Sequence, residues 1–66
     1  MNIIINGSER RVSEGTTTAE AVRLLTTAST GVAVAVNGQV VTRSAWESTT
    51  LAEGDQVEVL TAVQGG

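Results

Sequence analysis

The side chains that usually perform catalysis are scarce in this sequence, so its chemistry is sought first in the main chain. The 66 residues include no His, Cys or Lys, which excludes an imidazole base, a thiolate nucleophile, a Schiff base and an ordinary zinc site. The sequence ends in Gly65-Gly66 after an apolar stretch. Glycines can enter a narrow channel and present an unhindered carboxylate. Another enzyme could activate that carboxylate as an acyl adenylate for attack by a nucleophile; the alternative is an inert, frayed terminus.

Three other groups of polar or aromatic residues could have a function. Glu53, Asp55 and Glu58 form the densest acidic cluster, but they lack His partners and are too scattered for a metal cage, so we expect solvated charges. Arg10-Arg11 either dock an acidic partner or protect an exposed edge strand. Trp46, the only aromatic residue, either anchors a partner or closes the open end of a small core. We favour the structural role in each case.

Charge and hydropathy argue against nucleic acid and membrane partners. Seven acidic and four basic residues give a net charge of −3, the wrong sign for a phosphate backbone or an anionic membrane surface. The longest apolar run, 32–36, is too short to span a bilayer. No secretory signal is recognisable, so we expect a cytoplasmic protein. The length predicts a single domain over residues 1–63, followed by a flexible tail at 64–66.

Hydrophobic periodicity predicts the element order β-β-α-β-β-β. Asn6-Gly7 and Asn37-Gly38 indicate hairpin turns. The segment 17–20, Thr-Thr-Ala-Glu, fits a capping box at the start of a helix. The turn-like segment 43–50 is expected to contain one short helical turn at 44–47. The predicted elements are strands at 2–6 and 9–13, a helix of about ten residues between 18 and 28, and strands at 32–36, 39–42 and 56–63.

The predicted helix must bury its apolar stripe against the sheet. If the first and last strands lie side by side at the centre of a mixed sheet, the helix packs across one face. That arrangement is the α+β β-grasp, or ubiquitin-like, architecture; periodicity alone also allows another strand order. The residues assigned to the core are Ile3, Ile5, Val22, Leu25, Val57 and Val59. Those assigned to the exposed side of the helix are Glu20, Arg23 and Thr27.

Three segments of the sequence match motifs of a known family. They are the stretch 34–41, Arg43 followed by Trp46, and the block 54–66, which joins a turn, the last strand and the diglycine. Together they resemble the sulfur carrier family of thiamine biosynthesis, ThiS, over the whole chain. The last block is the most specific of the three. Thr42 stands where the family often has Pro, a departure confined to a surface turn.

The resemblance implies a carrier that is acted on by enzymes and is not itself an enzyme. It implies that an adenylating enzyme, similar to ubiquitin-activating enzymes, uses ATP and magnesium to convert the Gly66 carboxylate to an acyl adenylate. Sulfur from cysteine, supplied by a cysteine desulfurase or sulfur transferase, then displaces AMP and leaves a thiocarboxylate. The tail, with Gln64 and Gly65 threading ahead of Gly66, enters thiazole synthase and donates the sulfur. The chain itself is expected to bind no cofactor and no metal.

Both partners must hold the carrier without blocking its reacting end. In the predicted last strand Val57 and Val59 point to the core. Leu60 points the other way, and we expect partner docking at Leu60, Ala62 and Val63, extended by apolar residues of the neighbouring strands. The alternative is that Leu60 only covers the back of the sheet.

Other functions stay open at this stage. The small subunit of molybdopterin synthase shares the fold and the tail, although that family is usually longer and richer in Phe near its last strand, whereas this chain has no Phe. A ubiquitin-like protein modifier would use the same activated carboxylate to form isopeptide bonds. A plain interaction domain would leave the diglycine without a role.

Overall fold

Five strands, one α-helix and one 3-10 helix make up the part of the chain described by the computed structural model, residues 1–27 and 30–61. The strands are β1 (Asn2–Ile5), β2 (Ser8–Arg11), β3 (Val32–Val36), β4 (Gln39–Val41) and β5 (Gln56–Thr61), the α-helix is α1 (Thr18–Arg23), and the 3-10 helix is Arg43–Ala45. The element order confirms the prediction. None of the helices in these ranges is both long enough and apolar enough to cross a membrane.

The five strands form one mixed sheet in the order β2-β1-β5-β3-β4. β1 and β5 are parallel neighbours at the centre, with Ile5 beside Val57. The other pairs are antiparallel, and β3 lies against β5 with Val34 opposite Val59. The first and last strands are therefore adjacent, as the β-grasp prediction requires. This pairing brings both ends of the described chain to the middle of the sheet.

Both hairpins of the sheet turn through an Asn-Gly pair. Asn6 has φ 51° and Gly7 has φ 83°, while Asn37 has φ 50° and Gly38 has φ 83°. Two successive residues with positive φ are typical of a type I′ turn, whose twist matches that of the flanking strands. Asn and Gly tolerate this region of φ at little steric cost, so the sequence signal and the structure agree at both turns.

The helix packs on the face of the sheet that carries the odd-numbered residues of β1 and β5. Residues directly opposite in paired strands share a face, and this inner face is apolar in all three internal strands. Trp46 and Leu51, from the segment between β4 and β5, complete the core. The buried apolar residues are Ile3, Ile5, Ala19, Ala21, Val22, Val34, Trp46, Leu51, Val57 and Val59.

All four of the first backbone N–H groups of α1 are hydrogen-bonded. The predicted capping box is confirmed: the Glu20 N–H donates to Thr17 Oγ1 at 3.2 Å, and the Thr17 N–H donates to Glu20 Oε1 at 3.0 Å. The N–H groups of Thr18 and Ala19 donate to carbonyls of the segment between β4 and β5, and that of Ala21 donates to the Thr17 carbonyl. These bonds connect the start of the helix to the rest of the fold, and they satisfy the N–H groups that have no partner within the helix.

The predicted helix length was wrong. α1 covers six residues and ends at Arg23. The next two N–H groups make i→i−3 bonds, from Leu24 to Ala21 and from Leu25 to Val22, before the Thr26 N–H donates to Val22. Leu25 lies in this last turn and is 38% exposed. Its assignment to the core was therefore also wrong. Val22 is buried as predicted, and Ala28 lies outside the described residues.

Four boundaries, in three of the strands, differ slightly from the prediction. β2 covers Ser8–Arg11, so it begins one residue earlier and ends two residues earlier than expected. β1 and β4 each end one residue early. β5 begins at Gln56 as predicted and is described to Thr61. The predicted continuation of this strand to Val63 and the predicted tail at 64–66 lie outside the described residues.

Candidate functional site

The face of the sheet opposite the helix has no covering element in the described part of the chain. Leu60 on β5 is 70% exposed and Val40 on β4 is 78% exposed. Between them lie small side chains, since Ala33 is the register partner of Leu60, and Ala35 is the partner of both Glu58 and Val40. We call this set of residues (Ala33, Ala35, Val40, Glu58 and Leu60) the outer face. It presents apolar surface interrupted by one carboxylate.

A shallow depression lies where the outer face meets the described end of β5. Its volume is about 350 Å³, and it is lined by Gly31, Val32, Ala33, Leu60 and Thr61. Thr61 is the last described residue of the chain, so the depression borders the point from which residues 62–66 continue. Residues 62–66 form a segment that can extend at most roughly 18 Å. A partner that contacts the outer face at Leu60 is therefore within reach of this segment.

Two asparagine side chains attach β5 to the hairpin turns beside it. Asn6 Nδ2 donates to the Val59 carbonyl at 3.1 Å, and the Val59 N–H donates to Asn6 Oδ1 at 2.8 Å. At the start of β5, the Gln56 N–H donates to Asn37 Oδ1 at 2.9 Å, and Asn37 Nδ2 donates to Asp55 Oδ1 at 3.0 Å. β5 is thus held at its first residue and at Val59 by turns that precede it in the chain. The sequence predicted turns at these residues, but nothing in the local pattern indicates these distant partners.

Two carboxylates of the acidic cluster accept hydrogen bonds from the backbone. Glu53 Oε1 accepts a hydrogen bond from the Asn2 N–H at 2.9 Å, and Asp55 Oδ2 accepts one from the Ala52 N–H at 2.8 Å. Glu58 is exposed on the outer face, apart from the other two. Within residues 1–27 and 30–61 no group of His, Cys, Asp or Glu is arranged to hold a metal ion. Glu53 and Asp55 order the turn before β5 through these hydrogen bonds.

Trp46 has a structural role, and the structure also places Arg43 and the Arg10-Arg11 pair. The Trp46 ring is buried in the core, and its Nε1 donates to the Val41 carbonyl at 2.9 Å. The Arg43 guanidinium lies 5.6 Å from the ring centroid, within the range of a cation–π contact. Arg10 and Arg11 lie on β2, which is an edge strand of the sheet. The interpretation of Trp46 as a core residue is confirmed, and the position of the arginine pair agrees with edge protection.

Of the residues predicted to carry the function, the structure describes Leu60 alone. Leu60 is exposed on the side of the sheet away from the helix, the side to which the sequence assigned it, and its docking role stays a prediction. The docking residues Ala62 and Val63, the tail residues Gln64 and Gly65, and the reacting residue Gly66 lie outside the described part of the chain. Their roles stay predictions.

Comparison with known proteins decides the family. The sequence matches the ThiS family over residues 3–66. The chain belongs to the ThiS family. The crystal structure of the thiamine biosynthesis protein ThiS from Geobacter metallireducens is similar to it at 36% identity and a TM-score of 0.79, with 100% of both chains covered. The solution structure of a thiamine biosynthesis protein from the same organism matches at 36% identity and a TM-score of 0.81, covering 100% of this chain and 88% of that one. Comparison with curated proteins gives no significant match.

Membership of the ThiS family confirms the ubiquitin-like β-grasp fold and the resemblance seen in the sequence. It is consistent with a small sulfur carrier that works with enzymes of thiamine biosynthesis. The match includes residues 62–66, so the diglycine and the outer face both lie within the region shared with the family. These two features are the starting point for a functional proposal.

Proposed function

We propose that this ThiS-family chain carries sulfur for thiazole formation in thiamine biosynthesis, as a thiocarboxylate on Gly66. The observation that carries this proposal is the family match, which extends through Gly65-Gly66 at the end of the sequence. The composition supports it as well, since a main-chain carboxylate needs none of the missing catalytic side chains. The solved relative, covered over its full length, is called a thiamine biosynthesis protein.

The proposed chemistry has an activation step and a sulfur-transfer step. An adenylating enzyme uses ATP and magnesium to join the Gly66 carboxylate to AMP, and pyrophosphate leaves. A persulfide sulfur, derived from cysteine by a desulfurase, then attacks the acyl carbon and AMP leaves. A thiol cleaves the resulting sulfur–sulfur bond, which leaves the thiocarboxylate on Gly66. ATP and magnesium are bound by the partner in this scheme, and the chain is a co-substrate of the reaction.

The outer face is the proposed docking surface for the adenylating enzyme and for thiazole synthase. Leu60 is exposed six residues before Gly66 in the sequence, so a partner that binds there can also receive the tail. Gln64 and Gly65 are proposed to thread into the active site, because glycine leaves a narrow channel unobstructed. Ala62 and Val63 would continue the apolar contact from Leu60 toward that channel.

The test is the intact mass of the protein after incubation with ATP, the adenylating enzyme, the desulfurase and cysteine. We expect a mass gain that matches exchange of one oxygen for sulfur, localised to Gly66 by fragmentation. A variant lacking Gly66 is expected to keep its fold and gain no sulfur. Sulfur loading of that variant, or no loading of the wild-type chain, would contradict the proposal.

Growth tests assign the pathway. The wild-type gene is expected to restore growth of a thiamine-requiring strain that lacks its own carrier, and to leave a molybdenum-cofactor-deficient strain unrescued. The reverse result would indicate a subunit of molybdopterin synthase. High-mass protein adducts under activating conditions, dependent on Gly66, would indicate a protein modifier.

A further inference from the structure

The two Asn-Gly pairs of the chain carry a chemistry that a carrier function does not use. In an Asn-Gly pair the glycine amide nitrogen can attack the Asn side-chain carbonyl carbon, because glycine offers no steric hindrance. The new N–C bond forms, the bond from that carbon to Nδ2 breaks, and ammonia leaves with the proton. Water then opens the cyclic imide to aspartate or isoaspartate. The net reaction consumes one water and releases one ammonia, and it needs no enzyme.

Both pairs are exposed to solvent and therefore to water. Asn6, Gly7, Asn37 and Gly38 all lie at the surface. A side chain built at Gly7 or at Gly38 would meet nothing within 4 Å, so the space beside the Cα atom of each glycine is open. Access by solvent therefore does not distinguish the two sites. What distinguishes them is how each carboxamide is held.

The Asn6 carboxamide is held by the backbone groups of a buried residue, Val59. Its two hydrogen bonds, of 2.8 and 3.1 Å, both go to Val59 inside the central strand. Rotation of this side chain toward Gly7 would break both bonds together and leave two backbone groups of β5 unpaired. The pairing of β1 and β5 next to it opposes that opening. Asn6 is thus protected by the sheet itself.

The Asn37 carboxamide is held at its Nδ2 end by one side chain, that of Asp55. Nδ2 donates to Asp55 Oδ1 at 3.0 Å in an exposed contact. Asp55 is oriented in turn by the Ala52 N–H, which donates to its other oxygen at 2.8 Å. The remaining bond of the carboxamide, from the Gln56 N–H to Oδ1, is also exposed. Exposed side-chain hydrogen bonds open more readily than buried backbone ones because water replaces the partner.

We propose that Asn37-Gly38 is a deamidation site of this protein and that Asp55 controls its rate. While Asp55 holds Nδ2, the carboxamide is restrained from rotating toward the Gly38 amide and stays intact. When the contact opens, Gly38 attacks and ammonia leaves. The product cannot restore the contact, since an aspartate at position 37 would place a second carboxylate beside Asp55 without a donor between them. The reaction therefore removes, irreversibly, the contact between the turn that joins β3 to β4 and Asp55, the residue before β5.

The test measures deamidation at both sites in the same sample. Wild-type protein, Asp55→Ala and the matched control Glu53→Ala are incubated at mildly alkaline pH, and each Asn-Gly peptide is quantified by mass spectrometry. Glu53 lies in the same turn and bonds to Asn2, without contact to Asn37. We expect Asp55→Ala to accelerate deamidation at Asn37 about fivefold. Loss of one hydrogen bond of typical net strength increases the population of the open carboxamide by about that factor. Glu53→Ala is expected to change neither site.

Asn6 serves as the internal reporter of unfolding. If Asp55→Ala acted by unfolding the chain, both sites would accelerate together, and the proposal would be wrong. An unchanged rate at Asn37 in Asp55→Ala, or faster reaction at Asn6 than at Asn37 in the wild-type protein, would also overturn it. Acceleration at Asn37 alone supports it. In denaturant we expect the two sites to react at similar rates, because the folded contacts that distinguish them are gone.

Discussion

The carboxamide of Asn6 exchanges two hydrogen bonds with the backbone of Val59, a residue 53 positions later in the chain. Nδ2 donates to the Val59 carbonyl at 3.1 Å, and Oδ1 accepts from the Val59 N–H at 2.8 Å. β1 ends at Ile5, so this side chain continues the parallel pairing of β1 with β5 beyond the last residue of the strand. The first turn of the chain thereby holds the strand that leads to the tail.

Replacing Asn6 by Gly should destabilise the protein more than the same change at Asn37. Glycine tolerates the positive φ at both turns, so each substitution removes the carboxamide without straining the backbone. Both also raise the entropy of the unfolded chain by a similar amount. Asn6→Gly leaves partly buried backbone groups of Val59 unpaired, and we expect a loss of about 1–2 kcal/mol beyond that of Asn37→Gly. Urea unfolding followed by Trp46 fluorescence measures both, and equal losses would contradict the role given to Asn6.

Leucine-to-alanine changes should separate the core from the outer face. Leu51 is 4% exposed and contacts the core cluster, so Leu51→Ala should cost about 2–4 kcal/mol of unfolding free energy. Leu60→Ala removes the same atoms from a residue that is 70% exposed, and we expect a change within about 0.5 kcal/mol. Urea unfolding at a temperature where the wild type is fully folded gives both values. A large loss at Leu60 would mean that the outer face is covered by some other part of the chain.

A charge at Leu60 should weaken recognition by the adenylating enzyme without affecting the fold. Leu60→Arg places a strongly hydrated group in the centre of the proposed docking surface, and we expect an increase in KM of about tenfold or more. The value of kcat should change little, because Gly66 is untouched. Leu24→Arg is the matched control, since Leu24 is also exposed but lies after the helix and away from the outer face. Equal effects of the two variants in a pyrophosphate-release assay would indicate a general charge effect.

Removing the indole nitrogen of Trp46 should destabilise the segment between β4 and β5. Trp46→Phe keeps an aromatic ring in the core but loses the 2.9 Å hydrogen bond from Nε1 to the Val41 carbonyl. The unfolding free energy should fall by about 1–3 kcal/mol, which combines the lost bond with the volume lost in the core. Circular dichroism must be the readout because the variant has no tryptophan. Arg43→Ala, which removes only the contact over the ring, should cost about 0.5–1 kcal/mol, and the reverse order of effects would contradict this account.

The features that were predictable from the sequence depend on residues close together in the chain. The Asn6-Gly7 turn and the capping box of Thr17 with Glu20 follow from the conformational preferences of a few adjacent residues. The alternation along β5 was also readable, because successive side chains of a strand point to opposite faces. The end of the helix was not predictable in this way. Whether the helix continues through Leu25 depends on how well a longer helix would pack against the sheet, and that packing is a tertiary property.

The chemistry of the candidate site divides in the same way. The absence of catalytic side chains and the diglycine with Gly66 were properties of the sequence alone. Tertiary structure decided that Leu60 is exposed on an uncovered face, because periodicity assigns a residue to a face without stating what packs on it. It also decided that Asn6 pairs with Val59 and Asn37 with Asp55. Such contacts are set by which strands become neighbours, and that choice depends on burying one shared core rather than on any local preference.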